Sequence, residues 1–487
     1  MFTCNVFCIL TLKLAGMNGY YLQFMLPLTF FERWFTHERN PLIEGRHITE
    51  AEAREYKKQM VAAIKKRGLE FHACGHGWTC TPYDLPAGGW EVFEGEIDEE
   101  TKNDFALVGG KRELWQGIPL NTELCYSKAY VRKKVADFCV SYIKENPEID
   151  IIHFTLSDGL YNHCECDECR KYLPSELMVM ILNDVDNRLT KEGIDTKITV
   201  TLYHELLWAP EQVKLNDSKR FLLLFCPITR RYTEAYNEMG TIPDVKPYER
   251  NKGDYPESVE ENYTYLKAWQ NTSRADGFSF EYYYWVGEHY ADFGSINLAN
   301  VIYRDIHGLD SMRLSGIVSC QSQRSFMPTG LGSYVMAKSL FDTERSFEEI
   351  TDEYFIGAYG EYADIFKTHF VKLSELARLE RSGEKYNRVK NEAENMKLKI
   401  KELADMSDCC HSLSVRYAQY HCDLLIKTAK AEAATVDKGY EGALDKWREL
   451  ITFVRKTENE VQPVFDVFQY LADLFEIKHT ELKKYQL

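Results

Sequence analysis

The chain has 487 residues, is 45% hydrophobic and 28% charged, and carries a formal net charge of −16. That length can bury a large core and accommodates a barrel plus a second domain. The negative charge argues against nucleic acid and against an anionic membrane surface, both of which select basic patches.

Aromatic residues are numerous, with 31 Tyr, 26 Phe and 8 Trp. Most will pack, but Tyr and Trp also stack on sugar faces, which tilts the composition slightly toward carbohydrate. The 14 cysteines are scattered, apart from Cys164, Cys166 and Cys169 and the pair Cys409 and Cys410. No secretory framework of even spacings is visible, so reduced thiols in a cytoplasmic protein are expected. Residues 1–14 are apolar but short, and Asn5 and Lys13 interrupt them. They have neither the basic start of a signal peptide nor the length of a membrane span.

In chain order, residues 18–26 read as a strand. A helix follows over 49–67, opened by a capping box at Thr49 and Glu52, carried by Tyr56, Met60 and Ile64, and stopped by Gly68. A strand at 69–74 and a long loop lead to a helix over 127–145, with Ser127 as its cap and Pro147 beyond its end. The strand 151–156 precedes a helix over 175–191 that places Met178, Ile181, Leu182, Val185 and Leu189 on one face and ends before Gly193. Strands follow at 197–203 and 221–226, the latter almost wholly apolar, as a strand covered on both faces should be. Ser258 and Glu261 open another capped helix, 277–282 is a strand, 295–308 a helix, and 316–320 the last strand. Seven strands, most of them separated by a helix, make a βα repeat. No Gly-x-Gly-x-x-Gly follows any strand, which removes support for a dinucleotide fold. From about 341 the texture becomes helical and charged, with Pro463 the one proline in 345–487. Some four helices are expected there, and 384–402 reads as a solvated one because its charges alternate in sign.

In a barrel the site is built at the carboxyl ends of the strands. Asp158 follows an apolar strand and precedes Gly159, where it serves either as a general acid or as a turn cap. Glu281 leaves an apolar strand among aromatics, either as a catalytic carboxylate or in an ion pair at the barrel rim. Paired carboxylates are what glycoside hydrolysis requires. Glu205 and His204 follow the fourth strand, and alternation sends only one of them toward the site. His76 and Trp78, beside Gly75 and Gly77, can approach a ligand or simply pack in a tight loop. Arg230 can clamp a substrate carboxylate or neutralise Asp158 or Glu281. Tyr282 and Trp285 are candidate sugar-stacking residues. Cys164, Cys166 and Cys169 supply three soft ligands in one loop, with Cys226 or His163 a possible fourth. A structural zinc, free thiols and a disulfide all remain open for them.

The stretch His153 to Cys169 resembles the hallmark of a large, uncharacterised bacterial family of glycoside-hydrolase-like TIM barrels, distantly similar to the α-glucuronidases and the β-N-acetylhexosaminidases. The motifs from Gly75 to Cys80, from Leu124 to Ser127 and from Glu281 to Tyr283 resemble it too, and the likeness spans roughly 17–340 with a similar helical tail. The resemblance implies a (β/α)8 TIM-type barrel lacking its first strand over 17–340, followed by an α-helical C-terminal domain over 341–487. Residues 10–16 resemble the end of the first barrel helix, so the first strand and an N-terminal domain are expected to be missing, as in a fragment. By strand order Asp158 matches the acid that protonates the leaving group in hexosaminidases. Those enzymes use an adjacent Asp-Glu pair, and Gly159 here means that substrate-assisted catalysis does not carry over. The expected function is a glycoside hydrolase acting on a polysaccharide or glycan fragment without a catalytic cofactor. Asp158 is its acid, Glu281 its base or nucleophile and Glu205 a further candidate, and the alternative is a non-catalytic carbohydrate-binding barrel.

Overall fold

The computed structural model describes residues 12–216, 219–273, 275–281, 283–285, 287–319, 324–403, 409–485 and 487. The remnant of a first helix expected within 1–16 falls mostly outside them.

Seven strands form one parallel sheet in sequential order. They are β1 (Gly19–Gln23), β2 (Glu70–Gly75), β3 (Ile151–Phe154), β4 (Lys197–Leu202), β5 (Phe221–Phe225), β6 (Gly277–Glu281) and β7 (Gly316–Ser319). The register steps regularly, for example Tyr21 opposite His72 and Phe225 opposite Ser279. The sheet curls on itself, because side chains from its beginning meet side chains from its end. Tyr21 of β1 stacks on His153 of β3 at 4.4 Å and meets Phe280 of β6 edge-on at 6.0 Å. His72 of β2 lies 6.1 Å from Phe278 of β6. The result is a nearly closed barrel of seven strands with a side-chain-filled interior. Among the described residues no pairing joins β7 to β1. Strand β5 is buried throughout while β1 and β7 are half-buried, which is what central and flanking strands of such a sheet should show.

The helices start where local chemistry dictates. The first, α1 (Glu50–Lys66), has its capping box in place, with Glu52 N donating to Thr49 Oγ1 at 3.2 Å and Thr49 N to Glu52 Oε2 at 2.8 Å. The next, α2 (Ala129–Glu145), begins after Lys128 without a side-chain cap, so Ser127 does not cap it. Helix α3 (Pro174–Glu192) ends on Gly193 at φ +69°, a left-handed C-cap that suits glycine. It buries Leu177, Met178, Ile181, Leu182, Val185 and Leu189, each stabilising by roughly 1.5–3 kcal/mol relative to exposure. Helix α4 (Val259–Thr272) carries the second capping box, at Ser258 and Glu261.

The chain divides into two compact units. The barrel unit takes residues 1–32, 48–281 and 308–319, and the helical unit 33–47, 282–307 and 320–487. The helical unit therefore contains more than the tail after 340. Its helices are α5 (Ile296–Gly308, all but its last residue), α6 (Leu331–Phe341), α7 (Phe347–Tyr359), α8 (Ala363–Ala377), α9 (Gly383–Glu402), α10 (Cys409–Val461, broken at Gly439) and α11 (Val467–Ala472). Ala299 of α5 shares one apolar core with Leu331, Val335, Phe355, Phe366 and Phe370, which is why this barrel-like βα helix groups with the tail. Helix α9 is not fully solvated: Tyr386, Val389, Ala393 and Met396 make a buried stripe. Among the described residues no helix is long and apolar enough to cross a membrane.

Candidate active site and cysteine cluster

The carboxyl ends of β2, β3 and β4 converge on Asp158. Trp90 donates its indole N–H to Asp158 Oδ2 at 2.7 Å, and Tyr203 its hydroxyl to Oδ1 at 2.8 Å. His76 Nε2 stands 3.5 Å from Oδ1. The Asp158 side chain keeps 18% exposure, so it is held in place yet reachable. Trp90 is 37% exposed and packs edge-on against Phe24 at 5.4 Å. His204 lies against Tyr203 at 3.6 Å and beside Tyr255 at 5.7 Å, and Tyr255 neighbours Tyr161, also at 5.7 Å. Burial pushes the His204 imidazole down to about 3, with Asp158 opposing that shift, so it is neutral at physiological pH. Phe24, Tyr161 and His204 take positive φ values of 68°, 57° and 51°. Left-handed backbone at bulky residues is rare and clusters at functional loops.

Two further carboxyl groups lie in this region. Glu205 is buried, accepts a hydrogen bond from Tyr161 N at 3.2 Å and lies 3.6 Å from His163 Nε2. Burial raises its pKa above the ordinary carboxylate range. Glu123, which the sequence does not single out, is buried in the loop before α2 and accepts from Ser157 N at 3.0 Å. Burial pushes its carboxyl up to about 7.

Glu281 is elsewhere. Phe278 and Phe280 point into the barrel, so Ser279 and Glu281, on the alternate positions, point to the opposite face of β6. There Glu281 Oε1 meets Arg230 Nη1 at 3.4 Å, with both side chains 0% exposed. Ser279 Oγ donates to the same oxygen at 2.7 Å, and so does Tyr236 Oη. The Arg230 guanidinium lies over the Tyr236 ring at 4.2 Å and donates to Glu234 O at 2.6 Å. Arg230 thus pairs with Glu281 in a buried network, and neither accompanies Asp158. Of the two alternatives the sequence leaves for Trp78, the structure shows the packed one: it is fully buried, donates to His153 O at 3.0 Å and stacks on Phe154 at 5.5 Å. Trp285 is buried in the helical unit against Gly332. Tyr282 lies outside the described residues. The sequence reading missed Trp90, Tyr203 and Tyr255, whose loops carry no motif beyond their aromatic content.

The cysteine loop gains its fourth member from an unexpected place. Cys125, Cys164, Cys166 and Cys169 bring their sulfur atoms within 4.8 Å of one another. Cys226 does not join them; its thiol donates to Leu224 O at 3.4 Å near the end of β5. The one sign of Cys125 in the sequence is the stretch from Leu124 to Ser127. Such a buried four-cysteine cluster can hold a metal ion.

A family model described as "Domain of unknown function (DUF4838)" matches residues 98–372, more than half of the chain. The chain belongs to this family. The DUF4838 match contains Asp158, Glu205, Glu281 and all four clustered cysteines. None of the curated proteins matches the chain. Among solved structures, a mutant of the O-GlcNAc hydrolase of Thermobaculum terrenum is 11% identical with a TM-score of 0.42, over 100% of this chain and 94% of its own. A GH138 enzyme targeting pectin rhamnogalacturonan II is 9% identical with a TM-score of 0.41, over 94% of this chain and 58% of its own. CpGH84B is 12% identical with a TM-score of 0.39, over 94% and 71%. The likeness lies in the coarse fold and reaches no individual residue.

Proposed function

We propose that this chain is a glycoside hydrolase whose reacting carboxylate at the barrel mouth is Asp158. The observation that carries the reading is the setting of Asp158, fixed by hydrogen bonds from Trp90 and Tyr203, residue types that stack on sugars, and still partly exposed. Glycoside cleavage needs a second carboxyl group, and Glu205 is the better candidate than Glu281. Burial favours the protonated form of Glu205, which suits a proton donor to the leaving oxygen, and Asp158 then serves as base or nucleophile. No cofactor enters this chemistry, and we assign the cysteine cluster to a structural zinc ion with no part in bond cleavage.

The test is turnover of a panel of aryl glycosides and oligosaccharides by the intact chain. Asp158→Asn is expected to lower kcat by at least ~10²-fold, the lower end of the usual contribution of a positioned acid or base. Turnover unchanged in both Asp158→Asn and Glu205→Gln would refute the assignment. A second reading, a carbohydrate-binding barrel without catalysis, is favoured by the burial of both Glu205 and Glu281. It predicts saturable sugar binding that Trp90→Ala weakens, with no turnover of any substrate.

A further inference from the structure

We infer that a zinc ion bound by Cys125, Cys164, Cys166 and Cys169 clamps together the two βα loops that hold Asp158 in place. This rests on reading the cluster as a metal site, and the sulfur geometry supports that reading. Cys125 Sγ lies 3.7 Å from Cys166 Sγ and 3.9 Å from Cys169 Sγ. A disulfide would need about 2.0 Å. Four thiolates about 2.3 Å from a central tetrahedral ion stand about 3.8 Å apart along each edge, which the two separations from Cys125 match, and all four sulfur atoms lie within 4.8 Å of one another.

The surroundings are those of sulfur carrying negative charge. Leu107 N points at Cys164 Sγ at 3.3 Å, Ser127 N at Cys169 Sγ at 3.4 Å and Cys169 N at Cys166 Sγ at 3.5 Å. The Arg112 guanidinium reaches Cys125 Sγ at 3.8 Å. Binding would release the thiol protons to solvent and leave a tetrathiolate of net charge −2, which these N–H groups and Arg112 offset. Four cysteine ligands close the coordination sphere, as in a structural rather than a catalytic zinc site.

The clamp follows from what else the two loops do. Cys125 belongs to the loop before α2, and the other three cysteines to the loop after β3. Away from the cluster the same loops are stitched by Asp158 N donating to Leu120 O at 2.9 Å, Ser157 N to Glu123 Oε1 at 3.0 Å, and the Asn162 amide to Asn121 O. Gly159 permits this approach, since a Cβ there would stand 2.3 Å from Asn121 O. Arg250 ties a third loop to the cluster by donating to Cys164 O and Cys169 O at 3.2 and 3.0 Å, and Asn251 brackets His163 through its N–H and its C=O. Losing the ion removes the one joint among these that is not a hydrogen bond.

The experiment measures metal content and amide hydrogen exchange on the full chain purified without chelator. One zinc per chain is expected. Cobalt substituted for it should give the visible bands of a tetrahedral thiolate site. Cys166→Ser, at the least buried of the four, should lose the metal, and Cys226→Ser should keep it. Removing zinc from the wild-type chain should speed exchange at Ser157 and Asp158 by at least tenfold while leaving the amides of β5 protected. A metal-free protein as purified, or zinc content unchanged in both Cys166→Ser and Cys125→Ser, overturns the site. Zinc that leaves without altering exchange at Ser157 and Asp158 overturns the clamp. Neither readout involves hydrolysis, so failure here is separate from failure of the glycosidase reading.

Discussion

Acid should loosen the barrel through two imidazoles in its interior. His72 Nδ1 and His153 Nε2 lie 3.1 Å apart, a bond that two neutral rings make with one donor and one acceptor. Burial lowers the His72 pKa from 6.5 to about 4 and holds His153 well below its ordinary value. The folded state therefore keeps His72 neutral where the unfolded chain protonates it. The stability so held is fully present above pH 6.5 and is lost as pH falls from there to about 4. At 1.36 kcal/mol per pH unit, the 2.5-unit gap corresponds to about 3 kcal/mol for His72. The perturbation is His72→Asn, which places an amide near the position of Nδ1 and cannot titrate. Urea unfolding of wild type and variant at closely spaced pH values from 4 to 7 measures the effect. The wild-type curve should fall more steeply, by up to about 1.4 kcal/mol per pH unit in that window. Parallel pH dependences in the two proteins would refute the reasoning, because they would mean that His72 does not change its proton affinity on folding.

Other consequences can be measured as directly. Removing the Glu281 carboxylate as Glu281→Ala takes its buried counter-charge from beside Arg230, and should cost about 3–5 kcal/mol in chemical denaturation. Glu281→Gln, which keeps the shape and a hydrogen-bonding oxygen, should retain any glycosidase turnover, and its complete loss would return Glu281 to the reaction. Gly159→Ala should destabilise by about 1–3 kcal/mol, read as a lowered thermal midpoint, because the added methyl meets the Asn121 carbonyl.

The strands were legible because parallel strands covered on both faces are written as apolar runs, as in Phe221 to Phe225, and because Thr49 and Ser258 mark helix starts chemically. The position of Asp158 beyond a strand end was legible for the same reason, since it follows such a run. Glu281 shows where that logic stops. Its position at a strand end is visible in the sequence, but its facing depends on which of two alternating rows meets the barrel axis. Phe278 and Phe280 occupy that row. Trp78 and Trp90 are chemically alike in the sequence, yet one is sealed beneath α2 side chains and the other is exposed beside Asp158. Cys125 escaped because a four-ligand site assembled from two loops has a spacing set by the length of the loop, not by local geometry. Helix α5 was legible as a helix, but the core it shares with Phe355, Phe366 and Phe370 was not, since an apolar stripe states that it will be buried and not against what.

The discontinuous make-up of the helical unit has a consequence for how the chain is made. Its core needs α5, which is synthesised before β7, and the long helices that emerge last. Ribosomal synthesis therefore delivers the barrel strands while part of the helical core is still waiting for its partners. A gene cut at codon 341 would strand the Ile296, Ala299 and Tyr303 face of α5 on one product and Phe366 and Phe370 on the other. Co-expression of the two halves, with fragment complementation as the readout, should succeed better than either half alone.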